Sequence, residues 1–186
     1  MTVNFNDATR VALPAASGLS ADHESLHLAD AFAIRLPPGA STDTAMLARF
    51  IFSNQPSWIG TLMAVRDMIA AGFGLKTAKQ LAALASAPKA NRVGIFRVYS
   101  TNKTETVLGE DDKHLDFRVS LLCSADPASS THGQLTLSTT VHCHNLLGRA
   151  YILFIAPFHR TVVKASLRRA ARIGWPQAIG TAPGRR

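Results

Sequence analysis

Three histidines are the residues of this 186-residue chain that could most directly bind a metal ion. His142 and His144 are two residues apart, so on a β-strand both side chains project from the same face. The expected strand pairing places His114 opposite His142, which would give three ligands and leave one position open for water. Ordinary surface histidines are the alternative reading. Since nothing else in the sequence requires a metal, we expect no metal and no cofactor, with a three-histidine metal-dependent enzyme as an alternative.

A polar cluster is expected around the same strands, on the face of the sheet that contacts water. Paired carboxylates can perform acid–base catalysis when burial separates their pKa values, but on an exposed sheet they more often form cross-strand ion pairs. The sequence also lacks a Ser-His-Asp order, a phosphate-binding loop and a dinucleotide-binding glycine pattern. We therefore expect no catalytic residue, and an outer-face polar cluster formed by Glu105, His114, Asp116, Arg118 and His142.

Positive charge is concentrated in the last third of the chain. The protein has 20 Lys and Arg residues against 12 Asp and Glu, and residues 127–186 contain no acidic side chain. A solvated helix face would explain this pattern, and attraction to an anionic membrane or a partner is the alternative. Nucleic acid is not expected as a partner, because no aromatic side chains are interleaved with the basic ones. The basic stripe comprises Arg149, Arg160, Lys164, Arg168 and Arg172.

The spacing of apolar residues changes along the chain from helical to strand-like. After a first strand at 31–36, the capping residues at 41–43 and the apolar spacing at 46–51 predict a helix, a second helix is predicted from Pro56, and a weaker Ala-rich helix at 77–85. A long final helix is predicted from 147 to 173, with Pro157 inside it. Between these helices, a spacing of two residues predicts strands at 92–100, 104–110, 113–124 and 133–144.

Short turns between these strands indicate antiparallel hairpins. If the last turn centres on residue 128, Val119 faces Leu137 among the apolar residues, and the polar residues of both strands meet on the other side. A tight turn at 111–112 would bring Glu105 near Arg118. This sorting predicts a sheet with one dry face and one wet face.

These elements predict an α+β fold of the helix-grip type, with two or three short helices between the first and second strands. In such a fold, a curved antiparallel sheet wraps around the long C-terminal helix. A curved sheet often leaves a cavity beside a single helix, and a filled core is the alternative. We expect a non-catalytic binding module whose apolar or amphipathic ligand occupies a cavity lined by Phe96, Leu108, Phe117, Val119, Leu137, Tyr151, Phe154 and Phe158.

Residues 108–118 (LGEDDKHLDFR) resemble the signature of a bacterial family, domain of unknown function 2867. The resemblance implies a fold similar to the START and birch-pollen-allergen helix-grip proteins. It carries over no activity, so a binding module, a metal-dependent enzyme and a peripheral membrane or partner-docking protein all stay open. The resemblance spans about 28–172, with further matching segments at 31–34, 36–43, 74–78, 144–149 and 157–160.

The organisation that we expect is a flexible arm at 1–25, one domain at 26–173 and a flexible basic tail at 174–186. The N-terminus lacks the basic start and apolar run of a secretion signal, and the most apolar stretch, 150–158, is shorter than the roughly 20 residues of a bilayer span. We therefore expect a cytoplasmic protein without a transmembrane segment. A homodimer contact could form if Val93, Ile95 and Val107 are exposed on the outer face.

Overall fold

The computed structural model describes residues 5–19, 26–72, 91–126 and 129–178. The α+β architecture is confirmed: an antiparallel sheet with strand order β1-β2-β7-β6-β5-β4-β3 packs against a long C-terminal helix in a helix-grip-like arrangement. Two helices of the described chain lie between β2 and β3, and the expected helix at 77–85 falls outside the described residues. The elements are β1 (Thr9–Val11), β2 (Leu28–Leu36), α1 (Thr44–Ser53), α2 (Ser57–Gly72), β3 (Arg92–Val93), β4 (Phe96–Thr101), β5 (Glu105–Asp111), β6 (Leu115–Asp126), β7 (Ser129–Cys143) and α3 (Leu146–Ile173).

Side-chain caps fix where two of the helices begin. Asp43 Oδ1 accepts a hydrogen bond from the Met46 N–H at 3.0 Å, and Asn145 Oδ1 accepts one from the Gly148 N–H at 3.0 Å. Each cap satisfies an N–H group that has no partner inside its own helix. The second cap places the start of α3 directly after β7, at the end of the sheet where β2 begins.

The expected sorting of side chains between two faces is correct, but the predicted register is wrong. Val119 lies opposite Thr139 rather than Leu137, which is a shift of two residues. The shift arises at the irregularity between Ala125 and Asp126, where β7 contains extra residues that have no partner on β6. Glu105 lies opposite Leu122 rather than near Arg118. Shifts of two or four residues keep each side chain on its own face, since the strand period is two.

The outer face of the sheet is drier than expected, because the N-terminal segment covers part of it. Thr9–Val11 adds to the edge of β2 as β1, and farther along Ser17 donates a hydrogen bond to the Glu105 carboxylate on β5 at 2.6 Å. This part of the expected flexible arm is therefore bound to the sheet. Val93 and Val107 are also buried, so two of the three residues expected at a dimer contact are not on the surface.

The residues after α3 return to the loop that follows β2. The Ser41 N–H donates to the Pro176 carbonyl at 2.7 Å, and the Ala178 N–H donates to the Gly39 carbonyl at 2.9 Å. Trp175 is buried beside Phe50 of α1. The first part of the expected flexible tail is therefore packed, and residues 179–186 lie outside the described chain.

Candidate functional site

Most of the side chains expected to line a cavity between sheet and helix are packed in buried clusters of the described chain. Leu47 and Ile51 of α1 join Leu167 of α3 in the main cluster of buried side chains against the inner face. Tyr151 lies in a smaller buried cluster. Five other residues expected to line the cavity belong to the main cluster or pack against it, namely Phe96, Leu108, Phe117, Val119 and Leu137.

Two residues expected in the cavity point away from the sheet. Phe154 and Phe158 are 56% and 44% exposed, and their rings contact each other with centroids 5.8 Å apart. The prediction that they line the cavity is therefore wrong. The side of α3 that faces the sheet instead presents Tyr151, Ala156, Val163 and Leu167, which are buried.

A half-open groove of about 410 Å³ lies between the first half of α3 and the beginning of β2. The sequence reasoning singled out only its two arginines, as members of the basic stripe. The signal that could have found the groove is the apolar run 150–158, which carries more apolar residues than one face of a helix can bury. The groove is lined by His27, Leu28, Arg149, Ile152, Leu153, Ala156, Pro157 and Arg160.

At one end of the groove, Arg160 is held by a buried carboxylate. Asp30 projects from the inner face of β2 with a fully buried side chain, and its Oδ2 accepts a hydrogen bond from Arg160 Nε at 2.8 Å. Its Oδ1 accepts a second one from Arg10 Nη2 at 2.7 Å. Both carboxylate oxygens are thus occupied by guanidinium groups, as a buried charge requires. Arg160 is therefore a fixed part of the groove wall, and Asp30 balances one of the two positive charges that it binds.

His159 lies next to this ion-pair cluster. Burial lowers the pKa of His159 to about 4; the Asp30 charge acts in the opposite direction, and the Arg160 charge lowers the pKa further. Its Nε2 is buried and has no hydrogen-bond partner among the described residues. The imidazole is therefore neutral at pH 7.

Arg149 and His27 both line the groove, but they differ in the contacts that they make. The backbone N–H of Cys143 donates to His27 Nδ1 at 3.1 Å. Burial lowers the pKa of His27, and the nearby charges of Arg149 and His142 lower it further. Arg149 forms no ion pair with any carboxylate of the described residues, in contrast to Arg160.

The residues of the expected outer-face cluster form several separate contacts rather than one cluster. His144 Nε2 lies 3.2 Å from Asp116 Oδ2, and Arg118 pairs with Asp111 at 2.7 Å. Glu105 is not part of this group, because it binds Ser17, the Gly18 N–H and Ser120.

The three candidate metal ligands do not meet as expected, because His142 lies opposite Asp116 rather than His114. His114 Nδ1 lies 2.8 Å from Asn145 Nδ2, while the His142 ring contacts the rings of His27 and His144. No group of three His, Cys, Asp or Glu side chains within the described residues has the arrangement of a metal site. We therefore do not develop the three-histidine enzyme further.

The basic stripe is partly neutralised. Arg160 is bound to Asp30, and Arg168 Nη2 pairs with Asp7 at 2.7 Å. Arg172 Nε donates to the Arg168 carbonyl, and Lys164 Nζ lies 6.0 Å from the centre of the Phe32 ring. Two of the five stripe residues are therefore paired with carboxylates of the described chain.

By length and composition alone, one helix of the described chain is apolar enough to cross a membrane, and it is α3. This criterion takes the whole helix, whereas the expectation of no transmembrane segment considered only the run 150–158. Core helices of proteins that do not cross membranes meet the same criterion. In this structure Val163 and Leu167 of α3 are packed in the main core cluster.

A comparison with protein families gives one match. The family model described as "Protein of unknown function (DUF2867)" matches residues 23–166, which include β2 to β7 and all residues that line the groove. The resemblance on which the sequence analysis relied is thereby confirmed at the level of the family. Comparisons with curated proteins and with solved structures give no match.

Proposed function

This chain belongs to the DUF2867 family of proteins of unknown function, and we propose that it is a non-catalytic protein that binds an apolar or amphipathic small molecule. The observation that carries the proposal is the groove between α3 and β2. Its volume of about 410 Å³ is within the range of small-molecule sites. Five of its eight lining residues are apolar, and the three polar ones can orient a ligand.

The walls of the groove are held in place before any ligand arrives. β7 pairs with β2 along its whole length, including Leu28 at the groove, and β1 pairs with Ala31–Ala33 on the other side, so the strand is held in place. The Arg160–Asp30 ion pair ties α3 to β2 at one end of the groove. A site that is already ordered loses less conformational entropy on binding, which favours affinity for a small ligand.

The polar groups of the groove favour binding over catalysis. Asp30 binds the groove residue Arg160, and both of its carboxylate oxygens are occupied by arginines. His27 Nδ1 accepts the Cys143 N–H, so that nitrogen cannot act as a base without losing this hydrogen bond. We therefore assign the groove no reaction.

The proposal can be tested with 1-octanol, a neutral probe, and two matched leucine variants. Leu153 lines the groove and is 79% exposed, while Leu146 lies on the same helix outside the groove and is 78% exposed. Octanol binding should weaken about threefold or more in Leu153→Ala, because each lost CH₂ contact contributes up to about 0.8 kcal/mol. Leu146→Ala should bind as the wild type does. Equal effects of both changes, or no octanol binding to the wild type by titration calorimetry, would contradict the proposal.

A second candidate function, which we also propose, is docking to an anionic membrane surface from the cytoplasmic side. Leu153, Phe154 and Phe158 are exposed on α3, which also carries Arg149 without a carboxylate partner among the described residues, and this combination is typical of interfacial helices. Sedimentation with vesicles of phosphatidylcholine, with or without phosphatidylglycerol, tests it. Binding should require the anionic lipid and weaken in high salt, since each basic residue contributes about 1 kcal/mol. Absence of binding to either vesicle would exclude this function.

A further inference from the structure

We infer that the ligand of the groove carries a carboxylate, which Arg149 and His27 bind at the end of the groove opposite Arg160. This inference rests on the proposed function, because it assigns chemistry to the same groove. The observation that carries the inference is that the two arginines of the groove differ in their ion pairing. Arg160 is bound to the buried Asp30, whereas Arg149 has no carboxylate partner among the described residues.

The two arginines stand at opposite ends of the groove along α3. Eleven residues separate them, which corresponds to about 16 Å of helix. The side chains between them on this side of the helix are Ile152, Ala156 and Pro157, which are apolar. An acyl chain can therefore lie along the helix while its charged group stays at Arg149.

His27 adds a hydrogen-bond donor and no charge. Its Nδ1 accepts the Cys143 N–H, so the proton of the neutral ring is on Nε2, where it can be donated to a ligand oxygen. Since the pKa of His27 is lowered by burial and by Arg149, the ring stays neutral at pH 7. The Arg149 guanidinium and the His27 Nε2–H then offer donors to two oxygen atoms of one group.

The charge at this end favours a group with a single negative charge. Arg149 supplies one uncompensated positive charge, and it lies in the first turn of α3, which contains no acidic residue. The positive end of the helix dipole adds about half a charge. Together these fully compensate the single charge of a carboxylate, whereas a small part of the nearly two negative charges of a phosphate monoester would stay uncompensated.

The test compares octanoate with 1-octanol and with octyl phosphate in the wild type, Arg149→Met and Arg169→Met. Arg169 is an exposed arginine of α3 outside the groove, bound to the Asn54 carbonyl, and serves as the control. The wild type should bind octanoate about tenfold more tightly than octanol. Arg149→Met should abolish that difference by weakening octanoate alone, and Arg169→Met should preserve it. His27→Asn keeps an acceptor for the Cys143 N–H but no donor at the Nε2 position, so octanoate should bind about threefold more weakly.

The outcomes separate the inference from the function on which it rests. Equal binding of octanoate and octanol, sensitive to Leu153→Ala, would overturn the carboxylate assignment and leave the binding function standing. Octyl phosphate binding more tightly than octanoate would also overturn it. If none of the three probes binds, both the function and the inference fail.

Discussion

Asp30 Oδ2 on the inner face of β2 accepts a hydrogen bond from Arg160 Nε on α3 at 2.8 Å. The carboxylate is fully buried and also binds Arg10, so it joins β1, β2 and α3 through one side chain. This contact closes one end of the groove and fixes the arginine there. The position of α3 along the sheet, and with it the shape of the groove, depends on this ion pair.

Replacing this carboxylate should destabilise the protein more than replacing an exposed one. Asp30→Asn leaves two guanidinium groups without their counter-ion, so we expect the free energy of unfolding to fall by about 2 kcal/mol. Asp7→Asn removes the exposed pair with Arg168 and should cost less than about 0.5 kcal/mol. Urea denaturation measures both. Equal losses would mean that Asp30 does not anchor α3.

The N-terminal segment should detach when its contact with the sheet is weakened. Glu105 accepts hydrogen bonds from Ser17 Oγ and from the Gly18 N–H at 3.0 Å. In Glu105→Gln one acceptor oxygen becomes an NH₂ group that faces these donors, which we expect to cost about 1–3 kcal/mol. Amide hydrogen exchange at residues 9–19 should accelerate more than in the core. Unchanged protection of these residues would show that other contacts hold the segment.

Two helical glycines should respond to alanine in opposite ways. A Cβ at Gly148 would lie 2.3 Å from the His114 carbonyl oxygen, so Gly148→Ala forces α3 away from β6 and should destabilise the protein by about 2 kcal/mol or more. Nothing lies within 4 Å of a Cβ at Gly60 in α2. Gly60→Ala should therefore raise the free energy of unfolding by about 0.5–1 kcal/mol. Urea denaturation distinguishes them, and a tolerated Gly148→Ala would contradict the close approach.

The two-residue period of a β-strand explains which features of the sheet could be predicted from the sequence. Alternation placed Val119 and Leu137 on the inner face correctly, because a register error of an even number of residues preserves the face. The exact partners were missed, since turn length and the irregularity at Ala125 are not encoded in alternation. β1 was missed because three residues in a polar segment give no periodic signal.

The location of the site was harder to predict than the fold. The first half of α3 carries apolar residues around most of its circumference, so spacing alone does not decide which ones face the sheet. Tyr151 and Ala156 are buried, while Phe154 and Phe158 are exposed. The groove also depends on His27, which precedes β2 and belongs to no pattern. Only the packed structure brings it beside α3.

Stability should fall as the pH is lowered, because His159 resists protonation in the folded state. Its pKa is about 4 in the fold and 6.5 in the unfolded chain, so below pH 6.5 the unfolded chain binds the proton first. The stability that neutral His159 contributes is therefore complete above pH 6.5 and is lost progressively down to pH 4. When the pH is lowered from 7 to 4.5, the free energy of unfolding of His159→Gln should fall by about 2 kcal/mol less than that of the wild type. An NMR titration of His159 near pH 6.5 would contradict this.

The binding function is tested most directly by locating bound 1-octanol on the isotope-labelled protein through intermolecular nuclear Overhauser effects. We predict contacts from the octanol methylenes to the side chains of Leu28, Ile152 and Ala156, which line the groove. Contacts to Phe154 and Phe158 alone would place the probe on the exposed side of α3. That result, or contacts to Leu108 and Leu121 in the core, would contradict the groove as the binding site.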